Sequence, residues 1–200
     1  MNPSPSVVYL GFLLLALAGA VPSPALGADD HDRGWQKSSH HPNESKHERS
    51  ANELVEVVRE ATRRFRDVTV AEAEGYQLLF GCVSGPDEGA MGLHYVNMAL
   101  VGDGILDPAR PEIVIYEPRP NGGRRLIGAD FLVLSEAWHV SNTAPPELMG
   151  QLLHLFTSPN RFGLPDFYTL HVWAWKDNPS GTFVNWHPRV SCDEFDGGGH

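Results

Sequence analysis

The first apolar pattern lies at the start of the chain. An uninterrupted apolar run covers residues 7–21, and no charged side chain occurs within residues 1–27. The run is shorter than the roughly 20 residues of a membrane-spanning helix and fits the apolar region of about 7–15 residues in a secretory signal peptide. Pro22 and Pro24 end any helix there. We therefore predict a signal peptide over residues 1–27 and no stable membrane anchor after its cleavage, with an uncleaved anchor as the alternative.

The second segment, residues 28–49, is polar and shows no periodicity. Its one large apolar side chain is Trp35, and it contains His31, His40, His41 and His47. Such a composition is typical of a segment that is too polar to form a core. We predict a disordered, His-containing linker, and a loose metal-binding tract is the alternative.

Helical periodicity begins at Ser50. Apolar side chains recur every three or four residues over 54–68, which predicts an amphipathic helix. Residues 50–53 have the sequence of a capping box at its N-terminus. A second box at 69–72 predicts that the helix breaks and restarts before it ends at Gly75.

After Cys82 the pattern changes to short β-branched stretches between turn residues. Three stretches predict strands: 112–117, 126–134 and 167–175. The pair Asn121-Gly122 predicts a hairpin turn between the first two, and residues 147–156 fit a helix or a strand. The order of elements predicts one α+β domain over residues 50–200, with one or two N-terminal helices packed on an antiparallel sheet or partly open barrel.

Composition and charge narrow the classes of function. The chain has 200 residues, 42% of them hydrophobic, which is enough for one core. Its formal net charge is −10, and because nucleic-acid binding needs clustered positive charge, we predict no nucleic-acid partner. The motifs of serine hydrolases, zinc peptidases, P-loop enzymes and c-type haem proteins are absent from the sequence. Whether the protein is an enzyme therefore stays open.

The chain contains two cysteines, Cys82 and Cys192. In an exported protein this even count predicts a disulfide, which would join the end of the chain to the start of the folded region. On the chain-entropy model, closing so long a loop stabilises the fold by about 4–5 kcal/mol. A thiolate that binds metal or acts as a nucleophile is the alternative, although neither cysteine lies in a C-x-x-C motif.

Three histidines lie in separate segments of the predicted domain: His94, His171 and His187. Alternation along the last predicted strand places His171 on the same face as Trp173 and Trp175. Divalent metals commonly bind imidazoles from different strands together with a carboxylate. We hypothesise that the three histidines bind a divalent transition metal such as zinc, copper or iron. Structural or ligand-hydrogen-bonding roles are the alternative.

The predicted hairpin carries two candidate carboxylates, Glu117 and Asp130. With a two-residue turn, Glu117 faces Leu126 and Ile113 faces Asp130. Both acids then share one face, but at about 3.3 Å per residue they lie roughly 13 Å apart, too far for a single metal. We assign Glu117 to the site because it interrupts an apolar strand. A strand-end carboxylate that pairs with a neighbouring arginine is the alternative, and Asp130 remains the other candidate.

A glycine-rich stretch over residues 81–92 precedes His94, and the predicted disulfide would hold it near His187. We expect this stretch to form the wall of a pocket. Four side chains are expected to line that pocket: Tyr95, Asn97, Trp173 and Trp175. The pocket would hold a metal with or without a small organic ligand, and metal-activated water or oxygen chemistry would suit it. The alternatives are a metal-free small-molecule binding module and a structural envelope protein.

Four blocks within residues 50–192 are distinctive as strings: CVSGPDEGAMGLHYVN, LDPARPEIVIYEP, RFGLPDFYTLHVWAWKDNPSGTF and NWHPRVSC. Together these blocks resemble a group of exported bacterial proteins of unassigned function. The resemblance implies a periplasmic or extracellular bacterial protein. It implies no activity and no catalytic residue.

Overall fold

The structure is a computed structural model that describes residues 45–197. The predicted signal peptide and most of the predicted linker lie outside these residues. The helices are α1 (Lys46–Thr62), α2 (Val68–Ala73), α3 (Met98–Val101) and α4 (Ser135–His139). The strands are β1 (Gln77–Ser84), β2 (Ala90–Val96), β3 (Ile113–Pro118), β4 (Arg124–Leu134), β5 (Glu147–Leu148), β6 (Gln151–Leu152), β7 (His154–Phe156) and β8 (Phe167–Val172).

Six strands form one antiparallel sheet in the order β1-β2-β3-β4-β8-β7, and β5 and β6 form a separate two-stranded ribbon. The large sheet curves into a half-barrel with a convex and a concave face. This architecture confirms the predicted α+β class with a partly open barrel. Within residues 45–197, none of the helices has the length and hydropathy needed to cross a membrane.

The N-terminal helices cover the convex face. Leu54 and Val58 of α1 pack against buried side chains of β4 and β8, including Phe131. A 3₁₀ turn over Arg63–Arg66 follows α1, and its Phe65 packs against β2 and β3. Because the apolar stripe of these helices is buried there, the concave face is left for a different set of side chains.

The N-terminus of α1 differs from the prediction. The helix is capped by Ser45, whose hydroxyl accepts from the Glu48 amide at 3.1 Å while the Glu48 carboxylate accepts from the Ser45 amide. This capping box has the same sequence pattern as the predicted one at 50–53 and begins five residues earlier, at Ser45. The predicted break is confirmed by the 3₁₀ turn, although α2 is capped by Asp67 and not by Thr69.

The hairpin between β3 and β4 forms at the predicted turn. Asn121 and Gly122 have φ values of 61° and 75°, which the Asn-Gly pair accommodates readily. The register places Ile113 opposite Asp130, as predicted. Further toward the turn a β-bulge shifts the ladder, so Glu117 faces Arg125 and not Leu126.

Strand β8 is shorter than the predicted 167–175 and ends at Val172. Its pairing with β4 stops where Ala129 faces Val172, and the Ala174 amide then bonds back to the Val172 carbonyl at 2.9 Å. Gly128 allows the two backbones to approach here, since a Cβ on it would lie 2.6 Å from the Val172 carbonyl oxygen. The chain therefore leaves the sheet before Trp175.

The predicted disulfide is confirmed. Cys82 of β1 is bonded to Cys192, 110 positions further along the chain. Both cysteines contact the apolar cluster between the sheet and the N-terminal elements. The bond joins the C-terminal segment to β1, the edge strand of the large sheet.

Candidate metal centre

Three polar side chains from different strands meet on the concave face. They are His94 of β2, Asp130 of β4 and His171 of β8, and each offers one ligand atom within 4.8 Å of the other two. In a flat sheet, three strand spacings of about 4.8 Å would place His94 and His171 roughly 14 Å apart. The centroids of their rings lie 5.7 Å apart instead. The curvature of the half-barrel therefore brings the group together.

The register explains why these residues share one face. Asp130 faces His171 on one side and Ile113 on the other, and His94 faces Ile115. Ile113 and Ile115 lie two residues apart on β3, so their side chains point to the same face of the sheet. The residues opposite them, Asp130 and His94, therefore share that face. Nδ1 of His171 lies 3.5 Å from Oδ1 of Asp130. Two ligand atoms on one tetrahedral ion, each about 2.1 Å from it, are separated by roughly 3.4 Å, so this pair already has a suitable spacing.

The group is buried in an apolar setting. His94, Asp130 and His171 are each 3% exposed and line a cavity of about 20 Å³. The remaining walls are mainly apolar: Phe80, Met91, Ile113, Leu132, Phe156, Phe162, Leu164 and Phe167. A cavity of this size has room for about one water molecule or one ion. It is too small for an organic ligand.

The hydrogen bonds around the group leave ring nitrogens available. Among the described residues, neither ring nitrogen of His171 has a hydrogen-bond partner. Nδ1 of His94 lies 3.1 Å from the Gly92 carbonyl oxygen, so it donates there and Nε2 keeps a lone pair. The Thr169 hydroxyl donates to Oδ1 of Asp130, which fixes the carboxylate. Buried imidazoles without partners are rare because leaving one unsatisfied costs about 1–3 kcal/mol.

Burial also sets the protonation states. It lowers the pKa of His94 to about 4, with a further contribution from the neighbouring His171, and it lowers the pKa of His171 to about 3. Burial raises the pKa of Asp130 to about 6, although the hydrogen bond from Thr169 opposes this. At pH 7 both imidazoles are therefore neutral and the carboxylate is ionised, which are the states that bind a metal ion.

The structure does not bring His187 into this group. Its Nε2 donates to the Asp177 carbonyl and its Nδ1 accepts from the Arg189 amide, each at 3.0 Å. The backbone of His187 also pairs with Ala90. Both ring nitrogens hold loop backbone in place, which is the structural role that the sequence left open as the alternative.

Glu117 is likewise outside the group. Its carboxylate accepts from Lys176 and lies 3.9 Å from Nη1 of Arg125. This matches the alternative of a carboxylate paired with a neighbouring arginine. Asp130 occupies the position predicted for Glu117. The signal that favours Asp130 is visible in the sequence, because it is the one charged residue between positions 126 and 134.

None of the four side chains expected to line the pocket lines the buried cavity. Tyr95 is on the convex side of β2, where its ring packs against Tyr116 with centroids 5.0 Å apart. Alternation places it opposite to its neighbour His94. Asn97 caps α3 by accepting from the Ala99 amide at 3.2 Å. Neither side chain lines the cavity.

The two tryptophans have different positions. Trp173 follows the predicted face, with its ring centroid 6.2 Å from that of His171 and 4.9 Å from that of His187. It contacts the two histidine rings but does not line the cavity. Trp175 contacts the convex clusters because β8 ends at Val172 and the alternation stops there.

An open cleft of about 500 Å³ lies next to the buried cavity. Six of its lining residues are Asp87, Glu88, His154, Phe183, Asn185 and Trp186. Asn185 lines the cleft and the buried cavity alike, so it separates the candidate ligands from the cleft. The glycine-rich stretch contributes Asp87 and Glu88 to the cleft and Met91 to the cavity, which agrees with its expected position as a wall.

Some residues of the site belong to no recognisable sequence motif. Thr169 and the phenylalanines of the cavity come from strand and loop positions that look like ordinary core in the sequence. Period-two alternation would have placed Thr169 beside His171, but its bond to Asp130 depends on the pairing of β4 with β8.

Comparison of the chain with protein-family models, with curated proteins and with solved structures gives no match.

Proposed function

We propose that the protein is an exported metal-binding protein whose half-barrel holds one divalent transition-metal ion between His94, Asp130 and His171. One observation carries the proposal. A fully buried imidazole, His171, has no hydrogen-bond partner among residues 45–197 and lies beside a second neutral imidazole and a carboxylate. A bound cation would satisfy all three groups at once.

The ligand types indicate the class of metal. Two nitrogen donors and one oxygen donor suit zinc, iron(II) and copper, whereas calcium takes six to eight oxygen ligands and magnesium prefers oxygen. Three protein ligands would leave one position of a tetrahedral ion open, and the cavity of about 20 Å³ has room for the ion itself. A methionine, Met91, also lines the cavity, which is compatible with copper. The second methionine near His94, Met98, is 51% exposed.

Metal analysis of protein purified without a His tag tests this proposal. We expect about one equivalent of a transition metal per chain, lost in His94→Ala and His171→Ala. His139→Ala is the matched control, because His139 bonds to Tyr168 outside the cavity. Circular dichroism would show that each variant is folded. Protein that binds no metal, and whose melting temperature does not change when zinc, iron(II) or copper is added, would contradict the proposal.

A metal-free small-molecule binding module is the second candidate function. The open cleft of about 500 Å³ supports it, since sites for small organic molecules span about 300–1,000 Å³. Aromatic side chains (Phe183 and Trp186) stand beside polar ones there. Native mass spectrometry distinguishes the two functions, because a retained organic ligand without metal would favour the module.

Export is part of the proposal. The disulfide supports a location outside the cytoplasm, where such bonds persist. The apolar run over residues 7–21 and the resemblance to exported bacterial proteins support it further. Expression of the full chain in a bacterium, followed by N-terminal sequencing of the periplasmic or secreted product, should give a mature chain that begins near Ala28. A product that keeps Met1 and stays in the cytoplasm would contradict export.

A further inference from the structure

A cavity of about 280 Å³ near the start of β4 has a lining unlike that of the rest of the molecule. Its lining residues are Arg66, Arg124, Arg125, Leu126 and Trp175. We propose that this arginine cleft binds a small oxyanion of the phosphate or sulfate type, free or as a monoester. The proposal is independent of the metal centre.

The charge of the cleft points to an anion. The chain as a whole carries a formal net charge of −10, yet all three charged residues of the cleft are arginines. No carboxylate within residues 45–197 forms an ion pair with Arg66 or Arg124. Arg125 lies 3.9 Å from Glu117, but Glu117 already accepts from Lys176. The local charge is therefore positive.

Hydrogen bonds hold the guanidinium of Arg124 in place and leave some of its N–H donors unpaired. Its Nη1 donates to the carbonyls of Gly122 and Gly123 at 2.7 and 3.1 Å, and its guanidinium lies 5.9 Å from the ring centroid of Phe195. Its Nε is buried and has no hydrogen-bond partner in the described part of the chain. A buried donor without an acceptor is unfavourable. Nη2 of Arg124 makes none of these bonds, and this donor group would bind an oxyanion in the cleft.

The opposite wall is also fixed. Trp175 donates through Nε1 to the Thr62 hydroxyl at 2.9 Å, and the guanidinium of Arg66 lies 5.6 Å from the Trp175 ring centroid. An indole anchored in this way can contact the organic part of a monoester, while the cationic guanidinium stays beside it. Preorganised side chains lose less entropy when a ligand binds.

Size and geometry define the ligand class. Guanidinium groups match the oxygens of phosphate and sulfate through paired hydrogen bonds, and several arginines favour a multiply charged anion. The volume of about 280 Å³ is about fourteen times that of the buried cavity, which has room for about one water molecule or ion. That volume accommodates an oxyanion with a small organic group.

Isothermal titration of the mature protein with inorganic phosphate, inorganic sulfate and phenyl phosphate tests the proposal. We expect binding at or below millimolar concentration, weakened at least tenfold by Arg124→Gln and by Arg66→Gln. Arg66 lies at the exposed rim, so its variant keeps the test valid if Arg124→Gln does not fold. Tighter binding of phenyl phosphate than of phosphate would identify a monoester, and equal binding a free anion.

Arg63→Gln is the matched control. Arg63 belongs to the same 3₁₀ turn as Arg66, is exposed and pairs with Glu60, so its replacement removes the same charge without touching the cleft. Affinity in this variant should stay within twofold of the original protein. An equal loss in Arg63→Gln and Arg66→Gln would overturn the proposal in favour of unspecific attraction. Absence of binding at 10 mM anion would overturn it as well, and so would loss of binding in His171→Gln with none in the arginine variants.

Discussion

At the level of single residues, the identity of the carboxylate decides the chemistry of the site. Asp130 lies in the middle of an apolar strand and faces His171, whereas Glu117 lies at a strand end beside Lys176. The two acids therefore have different partners despite sharing a hairpin. A charge in the buried cavity is not screened by water, so it dominates the affinity for a cation.

Asp130→Asn should weaken metal binding by more than about 100-fold, because even residues that only support a ligand change affinity by about 10–100-fold. Asparagine keeps the shape of the side chain and can still accept from Thr169. Glu117→Gln is the control, and its metal affinity should equal that of the original protein. Competition with a coloured chelator measures both affinities. Equal losses in the two variants would show that Asp130 has no special role.

Burial of neutral histidines also predicts the acid sensitivity of the metal-free protein. The folded pKa of His171, about 3, lies below the ordinary value of 6.5, so the unfolded chain takes up the proton first. The stability that the folded state gains from keeping His171 neutral is fully present above pH 6.5, and it is lost as the pH falls toward 3. Asp130, with its pKa raised to about 6, has the opposite sign, because the folded state takes up its proton first.

Metal-free His171→Gln should lose about 2–3 kcal/mol less stability between pH 7 and pH 4.5 than the metal-free original protein. Asp130 and His94 are present in both proteins, and burial is the main cause of the low pKa of His94, so most of the difference comes from His171. Urea unfolding at the two pH values gives the free energies. Parallel losses in both proteins would mean that His171 is not buried as a neutral ring.

At the level of elements, the site depends on how closely β4 and β8 approach. Gly128→Ala would place a methyl group 2.6 Å from the Val172 carbonyl oxygen and 3.5 Å from the Cα of Trp173. We expect a loss of roughly 1–3 kcal/mol in stability, as for other overpacked positions, together with weaker metal binding because His171 lies next to Val172. Thermal unfolding and metal titration measure the two effects.

Gly102→Ala provides the comparison for that prediction. A Cβ at Gly102 would meet its nearest atom, the Met98 carbonyl oxygen, at 3.5 Å, which is an ordinary contact. This variant should keep its metal affinity and nearly all of its stability. If Gly128→Ala behaved like Gly102→Ala, the close approach of the two strands would not matter for the site.

Elements with strong local signals could be predicted from the sequence. The apolar spacing of α1 and the Asn121-Gly122 turn depend on neighbouring residues alone, and the turn then fixed the pairing of Ile113 with Asp130. The bulge that moves Glu117 opposite Arg125, and the early end of β8, depend on contacts between distant strands. Local patterns contain no information about them.

At the level of the whole molecule, the curvature of the large sheet could not be predicted from the sequence. The sequence predicts His94 and His171 as ligands. Nothing local shows that β8 pairs with β4, or that the sheet bends enough to bring these two histidines together. His187 met the same criteria and instead binds loop backbone. A histidine in an aromatic setting is therefore a candidate whose role depends on the long-range fold.

The disulfide restrains the part of the chain that lies next to the candidate ligand His94. Cys192 ties the C-terminal segment to β1, which is paired with the strand that carries His94. The segment before Cys192 includes His187, whose backbone pairs with Ala90 of β2. The disulfide therefore restrains a segment that pairs with β2, the strand that carries His94.

The most direct test of the proposed metal site is a crystal structure of the metal-loaded protein with anomalous diffraction recorded at the absorption edge of the metal. We expect one strong peak about 2.0–2.2 Å from a nitrogen of His94, a nitrogen of His171 and an oxygen of Asp130. A peak at other residues, or no peak between these three side chains in fully loaded crystals, would contradict it.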